Sequence, residues 1–485
     1  MKDSTSKFNI VCIIISFFSL FLFIFIYDFY LTENFYNYNF HYKSNVLDYY
    51  SQDDRIQLFQ SVFDYYFFFD LSLALLVSNY IFINIPKIIK NYKTAQHLQI
   101  IWIIKIVFIL TLFSIYERNT ILDQNAYFFI SINNFEIFDF FDVKNKYISA
   151  YSPNTFVVYF LKVLNIFFSN SWFAIKVILT LFYLITVYYG YKIINIFTKT
   201  DNILFIYILS FIPSLFYVSS IIVKDIIILP CLSIFFYYFF LLIFKKNKIG
   251  IVKYVLIIFM SIGIIALFRS WIAASCLFCM TMYFSYSSVY KLKNWIQEKR
   301  YKIFYFIVFL SIIFFILLNL YDEIIKLQSY LQHYISDSYR GYIRSGKHST
   351  GMNLFDNIKN YEDFLFRLPV LFFYSIFNPF LEKLGELKYL ILISENIIIC
   401  LFLILSFVKI EKSKSNQILL IVLLSFILAF ISTHMFVSYS NIGTGYRYSV
   451  QAKLPLIILF IVLNQKKIEY LFSFFNKKTK KNRIQ

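Results

Sequence analysis

Charge is scarce in this sequence. Asp, Glu, Lys and Arg make up 15% of its 485 residues, against about a quarter in soluble domains. That shortage excludes an ordinary water-soluble fold. Acidic residues are the rarer sign, 27 against 46 basic, which leaves a net charge of +19. Nucleic acid would be one partner for such a balance. The lysines, however, cluster between apolar runs, in the manner of cytoplasmic loops under the positive-inside rule, so no nucleic-acid partner is expected. Histidine is confined to His41, His97, His333, His348 and His434, none paired at metal-ligand spacing. No cofactor is expected, with a divalent cation left open. Cys12, Cys231, Cys276, Cys279 and Cys400 all lie within apolar runs, which excludes a disulfide framework. The Cys276–Cys279 pair reads as two small residues one turn apart on a membrane helix. Neither a nucleophile elbow, a zincin helix, a Walker loop nor a dinucleotide fingerprint is present.

Hydrophobic residues are abundant, at 60%. They fall in blocks such as Ile10–Tyr30, Ile203–Val218, Ile251–Phe268, Phe304–Leu320, Tyr389–Val408 and Ile418–Thr433. Runs of about twenty such residues are long enough to cross a hydrocarbon core of about 30 Å. The expected fold is all-α: one polytopic transmembrane helix bundle over residues 1–485, with about twelve spans. They are placed at 9–30, 64–86, 98–115, 171–191, 203–218, 226–244, 251–268, 271–290, 303–321, 388–408, 417–434 and 449–465. The basic segments Lys87–Lys93, Lys245–Lys248, Lys291–Lys302, Lys409–Lys414 and the tail over 466–485 then face the cytoplasm, as do both termini. The first span reads as uncleaved, because its apolar run exceeds a signal-peptide core.

Two apolar stretches, Ser152–Phe168 and Phe364–Phe380, break this alternation if counted as crossings. They are expected as re-entrant or interfacial helices on the outer face. Polar segments 31–63, 116–150 and 322–365 fall outside, the last with the makings of a lid. Long loops of this kind carry function.

Five outer-face groups stand out. The first holds Arg118, Asp123 and Tyr127. Asp123 and Tyr127 share a helix face if Asp123 opens a helix, and a carboxylate there can act as a base toward a sugar hydroxyl or merely cap the helix. The second is Lys224-Asp225, a phosphate contact with its orienting carboxylate, or an internal ion pair. Neighbours on a helix sit about 100° apart, so the two look to separate partners. The third is Arg269 beside Trp271, suited to phosphate or to snorkelling at the interface. The fourth is the glycine-bearing loop with Arg340, Arg344, Lys347 and His348. It has the composition to close over a pyrophosphate-linked glycan or to lie solvated. The fifth is Gly443-Thr-Gly445-Tyr446-Arg447. Of nine glycines, Gly341, Gly346, Gly351, Gly443 and Gly445 lie in these last two groups, a concentration that helix packing does not require.

In their order along residues 110–460 these pieces resemble bacterial O-antigen and capsule repeat-unit polymerases and the related GT-C membrane glycosyltransferases. The matching pieces are Asp123-Gln-Asn-Ala-Tyr127, Tyr151-Ser-Pro153 through Phe168-Ser-Asn, and Pro213-Ser through Lys224-Asp225. Phe268-Arg269, Leu368-Pro369, Phe377-Asn-Pro379-Phe380 and Gly445-Tyr-Arg447 with Pro455 complete the set. The resemblance implies glycosyl transfer from a polyprenyl-(pyro)phosphate-linked sugar or repeat unit at the outer face of the bacterial cytoplasmic membrane. It implies membrane lipid and polysaccharide-assembly proteins as partners. Asp123 would then be a base or acidic anchor, with Arg269 and Arg447 as catalytic contacts to phosphate or glycan. The chain departs from the group in its two early spans, 9–30 and 64–86, and Asp53-Asp54 in the first outer loop is a rival acidic site. A lipid-linked oligosaccharide flippase or transporter is the alternative. Span centres read as carrying little charge and no internal repeat is evident, which ranks transport second.

Overall fold

The computed structural model describes residues 67–112, 128, 131, 153–168, 171–244, 248–298, 369–370, 373, 375–377, 387–408, 413–440 and 442–470. The expected spans 9–30 and 303–321, the loops 31–63 and 322–365, and nearly all of 116–150 lie outside the described residues. So does most of 364–380. All regular structure among the described residues is helical. Lipid dictates this outcome, because backbone groups without water must be satisfied within the segment that carries them.

Among the described residues, seven helices are long and apolar enough to cross a membrane: Leu71–Ile88, Tyr92–Leu112, Trp172–Thr198, Asp225–Phe244, Gly250–Phe268, Lys414–Ser432 and Tyr446–Leu463. They correspond to the expected spans 64–86, 98–115, 171–191, 226–244, 251–268, 417–434 and 449–465. The chain divides at Ala273 and Ala274 into two compact units.

In the first unit, α1 (Phe67–Ile88), α2 (Tyr92–Leu112), α3 (Pro153–Phe168), α4 (Trp172–Thr198), α5 (Leu204–Ser210), α6 (Pro213–Val218), α7 (Asp225–Phe244) and α8 (Lys248–Phe268) follow in order. Helix α7 packs against both α4 and α8, and α1 against α4. Apolar residues run all round α7, and Phe235, Phe236, Phe239 and Phe240 are fully buried. A helix of that composition belongs at the centre of a bundle. Helix α8 instead leaves Val252, Leu256, Phe259 and Met260 more than half exposed, a continuous apolar surface fit for lipid and costly in water.

One end of this unit gathers the α1–α2 turn and the α4–α5 turn. Asn91 donates to Asp201 Oδ2 at 2.7 Å, and Tyr191 donates to Asp201 Oδ1. Lys199 ends α4 in the left-handed region (φ 56°), where its N–H reaches the Asn195 carbonyl. Lys87, Lys90 and Lys93 lie at the same end. The opposite end carries the start of α4, where Ser171 accepts from the Ala174 N–H at 3.0 Å, the α6–α7 connection and the end of α8.

Two expected elements differ in form. Segment 203–218 is not one helix but α5 and α6, interrupted at Phe211-Ile212. Pro213 causes the break: it disfavours helical backbone at the residue before it, and Ile212 is extended at ψ 114°. Helix α3 opens at Pro153 and closes at Phe168, as expected. Its 16 residues reach about 24 Å at 1.5 Å per residue, short of a full crossing.

The second unit holds most of α9 (Ser270–Glu298), with α10 (Leu387–Val408), α11 (Lys414–Ser440) and α12 (Ile442–Leu463). Helix α12 packs against α11 and α10, and the Tyr286 hydroxyl of α9 donates to Gln417 Oε1 of α11 at 3.0 Å.

Candidate functional site

The α6–α7 connection is the most constrained irregular segment of the first unit. Ser219, Ser220, Ile221, Ile222 and Val223 are all buried, at 1–3% exposure, although they are not in a helix. Irregular backbone at membrane depth is tolerated where protein covers it or it lines a cavity; here Lys105 bonds to the segment and Arg269 to Asp225, which follows it.

Lys105 comes from within α2 and is fully buried. Its ammonium donates to Ser219 Oγ at 2.9 Å, to Ser220 Oγ at 2.6 Å and to the Phe216 carbonyl. It also lies over the rings of Phe216 at 4.1 Å and Tyr183 at 4.6 Å. The cation answers the C-terminal end of α6, where carbonyls lack helical partners. Substitution Lys105→Met should cost about 1.5–3 kcal/mol, the worth of hydrogen bonds to a charged group. The loss stays in that range because both serine hydroxyls also donate back to helix carbonyls. Thermal unfolding of the purified protein in detergent measures it, and Lys105→Arg should recover part of the loss.

Asp225 opens α7 and is fully buried; Arg269, the single residue between α8 and α9, is 6% exposed. Arg269 Nη2 reaches both carboxylate oxygens of Asp225, at 3.0 and 3.1 Å, and its guanidinium lies 5.6 Å from the Trp271 ring. Asp225 also sits at a helix N-terminus, where negative charge is favoured. The two expected site residues are therefore partners of each other. Arg269 does not snorkel, and Lys224, half-buried, is the more accessible cation of this cluster. The chemistry on offer is a fixed dipole of opposite charges beside a lysine, an arrangement that orients an anion and stabilises developing negative charge.

Tyr446 and Arg447 lie at the start of the apolar part of α12, in the second unit, Tyr446 buried and Arg447 half-buried. The other expected residues, Arg118, Asp123, Tyr127, Arg340, Arg344 and Lys347, lie outside the described residues.

The expectation concerned span centres, but charge does occur within spans. Lys105 falls inside the span Tyr92–Leu112 and Lys453 inside Tyr446–Leu463. Lys453 pairs with Glu395 of α10 at 3.1 Å, both nearly inaccessible. Asn396, next to Glu395, donates to the Phe377 carbonyl at 3.0 Å. Reading charge by clusters missed these residues. The available signal was a lone Lys or Glu inside an apolar run, which marks function by default in a membrane.

These features define an α-helical membrane protein with buried ion pairs in both units. Comparison with known proteins finds no matching family model, no matching curated protein and no matching solved structure.

Proposed function

We propose that this protein is a polymerase or glycosyltransferase of cell-surface polysaccharide in the bacterial cytoplasmic membrane, using a polyprenyl-(pyro)phosphate-linked sugar or repeat unit at the extracytoplasmic face. In this reading about twelve spans cross the bilayer, both termini face the cytoplasm, and α3 and segment 364–380 lie in the outer leaflet.

One observation carries the proposal. Lys105, Lys176, Asp225, Arg269, Glu395 and Lys453 are the buried charged residues among those described. Each lies toward the end of its helix away from the lysine-rich segments. Lys105 is nearer Leu112 than Tyr92, and Lys453 is nearer Tyr446 than Leu463. Asp225 opens its helix, Lys176 lies near the start of its own, Arg269 follows one, and Glu395 is far from Lys409–Lys414. Charges are costly at depth and are kept where they have a role. Glycosyl transfer from a lipid phosphate asks for cations at the departing phosphate and a base at the acceptor hydroxyl. It asks for no nucleotide site, since the donor is already activated. Lys224, Arg269 and Arg447 suit the first task and Asp123 the second.

The flippase or transporter reading is favoured by a different observation: the Lys453–Glu395 pair within a span and the broken α5–α6 helix. Both are features of transporters.

The test is analysis of lipid-linked intermediates in a deletion strain complemented with Asp123→Asn, Lys224→Ala or Arg447→Ala. A transferase predicts single repeat units retained on the carrier at the outer leaflet. A flippase predicts them trapped on the inner leaflet. Full-length polymer from all three variants would remove the proposed site.

A further inference from the structure

At the lysine-rich end of the first unit, away from the site above, Lys192 stands among tyrosines of its own helix α4 and of the neighbouring α7. Its ammonium lies 4.5 Å from the Tyr188 ring, 5.7 Å from Tyr189 and 5.3 Å from Tyr237. The ring set continues through Tyr189–Tyr237 at 5.3 Å and Tyr238–Tyr254 at 5.7 Å. It therefore joins α4, α7 and α8. Lys192 and all five tyrosines are half-buried, so the cluster reaches the surface of the unit.

Three ring faces attract a cation but do not neutralise it. Among the described residues no carboxylate stands within ion-pair distance of Lys192. That contrasts with Arg269 and Lys453, which each have an acidic partner. A half-buried ammonium at the end of a membrane helix can take an anion as its partner, and phenolic hydroxyls can donate to the oxygens of the same anion.

A second feature shapes the place. A Cβ at Gly250 would stand 3.1 Å from the Tyr254 ring. The absence of a side chain there lets that ring lie back against the start of α8. On either side of Tyr254, α8 exposes Val252, Leu256, Phe259 and Met260, an apolar track suited to a hydrocarbon chain. A charged head beside an apolar track is the outline of a lipid.

We propose that Lys192, with Tyr188, Tyr189 and Tyr237, forms a binding site for the phosphate head of an anionic membrane lipid whose chain lies along α8. The inference stands apart from the transferase reading. Two sources share the chemistry: a bulk anionic phospholipid and a polyprenyl phosphate.

Native mass spectrometry of the full-length protein in detergent tests it, with phosphatidylglycerol, polyprenyl phosphate and diacylglycerol added in separate arms. The wild type should retain at least one phosphate lipid over diacylglycerol, and the better retained of the two identifies the source. Lys192→Met should lower that retention about fivefold, the effect of one basic residue on an anionic lipid, and Lys192→Arg should restore it. Tyr237→Phe, which removes only a hydroxyl, should lower it in part. Lys253→Met, at an exposed lysine nearby, should leave it unchanged. Equal retention of phosphate lipids and diacylglycerol would overturn the proposal. So would undiminished retention in both Lys192→Met and Tyr237→Phe, or an equal loss in Lys253→Met.

Discussion

Replacing Arg269 by Met should destabilise the protein by about 3–5 kcal/mol, the range for removing one partner of a buried ion pair. Asp225 would keep its place at the start of α7, fully buried, without the guanidinium that reaches both its oxygens. The double variant Asp225→Leu with Arg269→Met should recover most of that loss, since an apolar pair of similar volume often matches or exceeds a buried salt bridge. Thermal or denaturant unfolding in detergent checks both. The double variant also separates folding from function. If the Asp225–Arg269 pair only holds α7 to α8, polymer length in cells should return with stability. If the pair orients an anionic donor, the double variant should fold and remain inactive.

The second large effect belongs to the other unit. Lys453→Met should cost about 3–5 kcal/mol by leaving Glu395 charged in an apolar interior. Combining it with Glu395→Leu should restore most of that stability. Both side chains are nearly inaccessible and 3.1 Å apart, so the same reasoning applies. The two pairs lie in different compact units, and distant sites add in their effects, so losses measured at one should add to losses at the other. A strong departure from additivity would mean that the two sites are energetically coupled.

Much of the fold is legible in the sequence because one constraint dominates. An apolar run long enough to cross the bilayer must be helical, which is why the span expected at 226–244 corresponds to Asp225–Phe244. The start of α3 at Pro153 is legible for a related reason, since proline suits the first turn of a helix. What hydropathy does not convey is interruption. Residues 203–218 are as apolar as a span, yet Pro213 divides them into α5 and α6.

The site was legible in composition more than in pairing. Lys224-Asp225 and Arg269 stood out as charges at span ends, and the geometry of adjacent helix positions already implied separate partners. That Asp225 would choose Arg269, 44 residues away, depends on how α7 packs against α8, which no local pattern encodes. Lys105 illustrates the opposite failure. It lies alone among apolar neighbours in Ile100–Leu110, conspicuous by position. Its partners are three groups at the end of α6, and only the tertiary fold brings them within reach.

Sidedness underlies every functional statement above, and cysteine accessibility measures it. Ser270 is exposed beside Arg269, and Lys199 is exposed at the lysine-rich end of the same unit. In a background without native cysteines, Ser270→Cys should react with a membrane-impermeant maleimide in intact spheroplasts, and Lys199→Cys only after permeabilisation. The reverse pattern would place the Asp225–Arg269 pair toward the cytoplasm and contradict an extracytoplasmic site there.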